Sequence, residues 1–158
     1  QDAQFEMGPV FERAQNIRGF QIASPSLIGI RCVQTAFSMI KEAGIDAIAQ
    51  KAAVGTQMMI DLYDAWLAPL GIELNTSRDP KERGGHISLV HPDAAQICVA
   101  LRQISNVIPD YRTPNSIRLA ISPLPTSYVE VWDGFARMRD LVASGQYKTI
   151  KEGGSRVT

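Results

Sequence analysis

Arg118 stands in Ile117-Arg118-Leu119-Ala120-Ile121, an alternation that in a strand sends Ile117, Leu119 and Ile121 to one face and Arg118 to the other. A planar guanidinium on an open face can grip a carboxylate through two parallel hydrogen bonds, which fixes orientation as well as charge. The residue alone also reads as a solvated arginine on an exposed sheet face. Ser24, before Pro25, reads as a helix cap or turn serine, or as a hydroxyl free to donate to a ligand oxygen. Asp110 and Arg112 read as a local salt-bridged turn, His86 as a strand residue on the polar face, and His91 as the neighbour of a helix start. Neither histidine has a sequence-adjacent nucleophile or acid, so neither is assigned catalysis. Of the lysines, Lys41 and Lys51 fall on polar helix faces, Lys81 in a charged turn, and Lys148 and Lys151 in the tail. None ends an apolar strand, where desolvation could lower its pKa and make it a nucleophile. A glycine-rich phosphate cradle is also missing.

Cys32 and Cys98 lie far apart within apolar helical patterns and are expected to be small buried hydrophobes in a reducing cytosol, not a disulfide. With two cysteines and two histidines, in neither C-x-x-C nor H-x-x-x-H spacing, no metal site is expected.

The elements that must position these residues follow from periodicity. An extended lead-in over 1–25 precedes a helix over 26–43, closed by Gly44. Asp46 caps a second helix running to about residue 70, with Met59, Tyr63, Trp66 and Leu70 as one apolar stripe, and Gly71 ends it. A short strand at 72–74, a charged turn at 78–85 and an alternating strand at 86–90 come next. Pro92 opens a helix with Ile97, Leu101 and Ile104 inward. A strand pair is expected around 107–108 and 116–121, broken by Pro123 and Pro125. Ser127 and Glu130 have capping-box spacing, opening a helix with Tyr128, Trp132, Phe135, Met138 and Val142 inward. From Gln146 the chain is polar and expected to fray. The order predicts an α/β (α+β) sandwich: a small, mainly antiparallel sheet with helices packed on it, organised as lead-in 1–25, domain 26–145 and tail 146–158.

With 158 residues, 45% hydrophobic and 20% charged, the chain has the make-up of one globular domain. Sixteen basic residues offset sixteen acidic ones and do not cluster, which argues against a nucleic-acid or acidic-membrane surface. Apolar runs stay far short of the roughly 20 residues a bilayer crossing needs. The start, Gln1-Asp2-Ala3-Gln4, has no initiator methionine, so a processed or excised piece is expected.

Three segments resemble one family. Phe5-Glu6-Met7 with 19–27 follows an F-x-M and G-F-x-I-x-x-P-x-x-L run; 82–89 is similar to an E-R-G strand entry. From Val107 through Asp110, Arg112, Pro114, Ile117-Arg118, Ala120 and Pro123-Leu124, the chain follows G-V-x-x-D-x-R-x-P-x-x-I-R-x-A-x-x-P-L-Y, with Gln103-Ile104-Ser105-Asn106 replacing the usual glycine and Pro125 where an aromatic is usual. The pattern is that of the kynureninases, pyridoxal-phosphate enzymes of the aspartate-aminotransferase fold type, and the likeness covers the chain apart from its tail. The resemblance implies the C-terminal small domain of a cytoplasmic homodimer that hydrolyses L-kynurenine or its 3-hydroxy form to an anthranilate and L-alanine. It implies that Arg118 holds the substrate α-carboxylate. It also implies that Ser24, where the family often has Asn or Thr, contacts cofactor phosphate or substrate from the neighbouring subunit. The Schiff-base lysine would belong to a large domain preceding Gln1, leaving this chain without a catalytic residue and silent alone. Competing readings are another enzyme of the same fold type (a cysteine desulfurase, epimerase or aminotransferase) and a non-catalytic α/β binding or oligomerisation module.

Overall fold

Ser26 starts the first helix. Its hydroxyl accepts from the Gly29 amide at 3.2 Å and its carbonyl from Ile30 at 3.0 Å, meeting donors that a helix start leaves unpaired. This helix, α1 (Leu27–Ala43), belongs in the computed structural model to a first unit, 1–42, apart from its last residue; 43–158 form a second. The structure describes residue 9, residues 13–21 and residues 23–150. Phe5-Glu6-Met7, Ile22 and the tail from Lys151 lie outside the described residues.

In the first unit a 3-10 turn, Ile17–Phe20, is capped by Asn16, whose side chain accepts from the Arg18 amide. Gly19 is required there, since a Cβ would meet the Ala14 carbonyl oxygen at 2.5 Å. Along α1, Ile30, Val33, Phe37 and Ile40 recur at three-four-three spacing, and none is buried. Cys32 is exposed too, so the expectation of a buried thiol fails for this one: its helix is not packed into a core.

In the second unit Gly44, at φ 81°, precedes α2 (Ile45–Leu62) and holds the N-cap position expected for Asp46, which lies instead in the first turn. The helix continues through a π turn, Tyr63–Leu67, and a 3-10 turn, Ala68–Leu70, before Gly71 reverses the chain at φ 82°. Met59 and Tyr63 are buried, and Trp66 and Leu70 pack partly against the core.

Strands β1 (Glu73–Leu74), β2 (His86–Val90), β3 (Asp110–Arg112) and β4 (Ser116–Ala120) form one antiparallel sheet in the order β1-β2-β4-β3. The third strand lies later than 107–108: Ile108 is 85% exposed and pairs with nothing, while Asp110 begins the ladder. Helices α3 (Ala94–Gln103) and α4 (Tyr128–Ser144) join α2 over the face that carries Ile87, Leu89 and Ile117, each fully buried. Ile97, Leu101, Phe135, Met138 and Val142 complete the core as periodicity required. Ile104, Tyr128 and Trp132 do not, and each stays more than a third exposed. Trp132 stays half-exposed, edge-on to Trp66 at 5.5 Å between centroids, and Arg139 covers the Trp66 ring. Buried Cys98 has its thiol pushed up to about 12 by desolvation, which keeps it neutral and inert.

Two ties hold the connections. The Ser127–Glu130 capping box is complete, each residue bonding the other's backbone amide. Arg83 reaches from the β2 entry to α2, donating to Gln57 Oε1 at 2.6 Å and Thr56 Oγ1 at 3.2 Å, and also to the Arg78 carbonyl at 2.6 Å. Thr56 is fully buried and donates in turn to the Ala52 carbonyl, so this polar contact inside the fold is satisfied.

Candidate functional site

The helices cover one face of the sheet and leave the other to Ser88, Asp110, Arg112, Ser116, Arg118 and Ala120. Register decides who meets whom. The β3–β4 hairpin turns through Thr113-Pro114-Asn115, which places Asp110 opposite Arg118 and Arg112 opposite Ser116, while Ser88 lies on the other flank of Arg118. Directly opposed side chains of an antiparallel pair lie about 5 Å apart at Cβ, within reach of an aspartate and an arginine.

Asp110 Oδ2 takes all the bonds. Arg112 donates to it from Nε at 3.0 Å and makes a second contact through a terminal nitrogen at 2.8 Å, and one terminal nitrogen of Arg118 donates to the same oxygen. Partial burial would raise the Asp110 pKa, but the hydrogen bonds and charges of Arg112 and Arg118 outweigh it and hold the carboxyl below its ordinary value. The group is therefore an anion at neutral pH, and the cluster of two guanidiniums and one carboxylate carries a net positive charge. Arg118 has 37% of its side chain exposed. Its other N–H groups find no acceptor among the described residues, so an open-face donor edge remains.

The Asp110–Arg112 pair expected from the sequence is present, in a strand rather than a turn. The contact with Arg118 was missed. A three-residue hairpin loop at 113–115 was the signal, since loop length and the buried faces of the two strands together set that register.

Ser24, in the first unit, is exposed, and its hydroxyl has no partner among the described residues. The capping role open to it belongs to Ser26. His86 is exposed at the start of β2; His91 Nδ1 accepts from the Asp93 amide at 3.0 Å ahead of α3. Among the described residues no group of three or more His, Cys, Asp or Glu could hold a metal, and no helix is long and apolar enough to cross a membrane.

Pyridoxal phosphate needs a lysine for its imine and a carboxylate against its ring nitrogen. The described lysines do not fit. Lys41 and Lys51 lie on helices, Lys81 and Lys148 in 3-10 turns, all on the surface or half-exposed and none on the open sheet face. No described lysine is placed to form that imine.

Fold and site define a two-layer α+β domain whose open sheet face presents two arginines around one carboxylate. The kynureninase C-terminal domain family matches residues 48–138. The kynureninase of Geobacillus thermodenitrificans (strain NG80-2) is 38% identical over 147 residues, covering 93% of this chain and 34% of its own length. Those of Bacillus thuringiensis subsp. konkukian (strain 97-27) and Bacillus anthracis are 33% identical over 150 residues, covering 95% of this chain and 35% of theirs. The chain thus spans about a third of the length of the curated relatives it matches. It belongs to the kynureninase C-terminal domain family, and the competing readings of another enzyme of the fold type or a non-catalytic module are not favoured.

Proposed function

We propose that this chain is the substrate-carboxylate domain of a cytoplasmic, pyridoxal-phosphate-dependent kynureninase. The whole polypeptide hydrolyses L-kynurenine, or its 3-hydroxy form, to the corresponding anthranilate and L-alanine in tryptophan catabolism. Arg118 binds the α-carboxylate of the substrate. Ser24 contacts the cofactor phosphate or the substrate across the subunit boundary of a homodimer, and the imine-forming lysine comes from the part of the polypeptide that this chain does not span. The observation that carries this reading is the uncommitted donor edge of Arg118, on the open face of a domain of this family.

Arg118→Leu in the full-length protein tests it. Losing one partner of a desolvated ion pair costs on the order of 2–5 kcal/mol. Catalytic efficiency should therefore fall roughly 30-fold to several thousand-fold. Ile117 and Leu119 face the core, so the melting temperature should barely move. Arg118→Lys should recover only part, since an ammonium keeps the charge but not the fork. Near-normal kcat/KM for Arg118→Leu would remove the assignment.

A further inference from the structure

We infer that Asp110 is the positioning residue for Arg118, and that Arg112, Asp110 and Arg118 together form a recognition site for a single carboxylate. This deepens the functional reading above and rests on it.

An arginine side chain has several rotatable bonds, and a free one on an open sheet face sweeps a wide volume. Asp110 restricts it. The carboxylate is itself held from its own strand, since Arg112, two residues on and on the same face, makes two contacts with Oδ2. That fixed oxygen lies across the ladder from Arg118 and takes one of its terminal N–H groups. The guanidinium is planar, so anchoring one nitrogen also orients the remaining edge, the one that two oxygens of a ligand carboxylate would meet. Ser88, on the opposite flank, is short and leaves that side open.

Charge adds selectivity. Two guanidiniums without Asp110 would present two positive charges and favour a dianion. With Asp110 ionised the cluster carries one, which a monocarboxylate neutralises. Asp110 touches no reacting atom in this arrangement; it acts through Arg118.

The test uses the full-length enzyme with Asp110→Ala, Asp110→Asn and Arg118→Leu, alone and in combination. Each is assayed for kcat, KM and melting temperature, and for inhibition by a substrate-like carboxylate and by its carboxamide counterpart. Coupled neighbours of this kind commonly interact by a factor of a few up to about a hundred. Asp110→Ala should raise KM and the carboxylate Ki roughly tenfold, with a smaller change in kcat. The carboxamide Ki and the melting temperature should not move. Asp110→Asn, whose amide oxygen can still accept from Arg118, should lie between. In the Arg118→Leu background Asp110→Ala should add nothing. Unchanged KM and Ki in Asp110→Ala, beside a crippled Arg118→Leu, would overturn the positioning role and leave the carboxylate reading intact. Equal losses with carboxylate and carboxamide, or a fallen melting temperature, would make Asp110 a structural residue only. If Arg118→Leu is itself near normal, the functional reading fails first.

Discussion

Ser88 and Asp110 flank Arg118 on the neighbouring strands, and of the two only the carboxylate reaches the guanidinium. Chemistry on this face therefore depends on single side chains and their register partners, whereas the opposite face depends on volume. Asn106 is a case where backbone, not side chain, makes the demand. Its φ of 51° lies in the left-handed region, and the turn lets the Val107 amide reach back to the Leu101 carbonyl at 2.9 Å. Asparagine tolerates that conformation better than most residues, and the family pattern has glycine there. Asn106→Gly should shift stability by no more than about 1 kcal/mol, while Asn106→Val, which crowds the left-handed region, should cost about 1–2 kcal/mol or more. Denaturant midpoints of the two variants check this; equal stabilities would mean that the turn relaxes to another conformation.

Among the elements, α4 shows most directly how local sequence and tertiary demand combine. Ser127 and Glu130 close its first turn by reciprocal bonds: the Ser127 amide reaches Glu130 Oε2 at 2.7 Å and the Glu130 amide reaches Ser127 Oγ at 3.2 Å. Ser127→Ala should cost about 1 kcal/mol. The same bonds, first the Ser127 amide and then its hydroxyl, hold the Glu130 carboxyl below its ordinary 4.5. A carboxyl depressed in the folded state stabilises above its unfolded pKa, and that contribution is lost as pH falls through the folded value. The destabilisation caused by Glu130→Gln should accordingly be largest near neutrality and shrink below pH 4.5. Melting curves at pH 7 and in acid decide the sign, and a penalty that grows in acid would contradict it. In α2 the control is tertiary: a Cβ on Gly55 would come within 2.6 Å of Ile121, so glycine is kept mid-helix despite its poor propensity.

At the scale of the molecule, the chain presents Arg118 on an open sheet face, and no described lysine is suited to the cofactor. Isolated, it should give no borohydride-sensitive absorbance band with pyridoxal phosphate and should not cleave kynurenine. Such a band, lost on reduction, would mean that one of its surface lysines forms an imine after all. The apolar stripe of α1 stays exposed among the described residues, with Phe37 66% exposed.

Much of this was legible in the sequence, because short-range physics dictates it. Periodicity put Ile117 and Leu119 on one face and Arg118 on the other, adjacent residues marked the capping box of α4, and glycines marked Gly44 and Gly71 as turns. At Ile104 and Trp132 periodicity could not tell how much of each side chain the fold would cover, and both stay more than a third exposed. The site divided in the same way. Strand alternation put Arg118 on the open face and spacing paired Asp110 with Arg112, while a binding role for Arg118 came only from the family resemblance. That Asp110 joins the two arginines depended on a hairpin register, and register is a property of two strands, set when the loop at 113–115 and the buried faces of Tyr111 and Ile117 lock together.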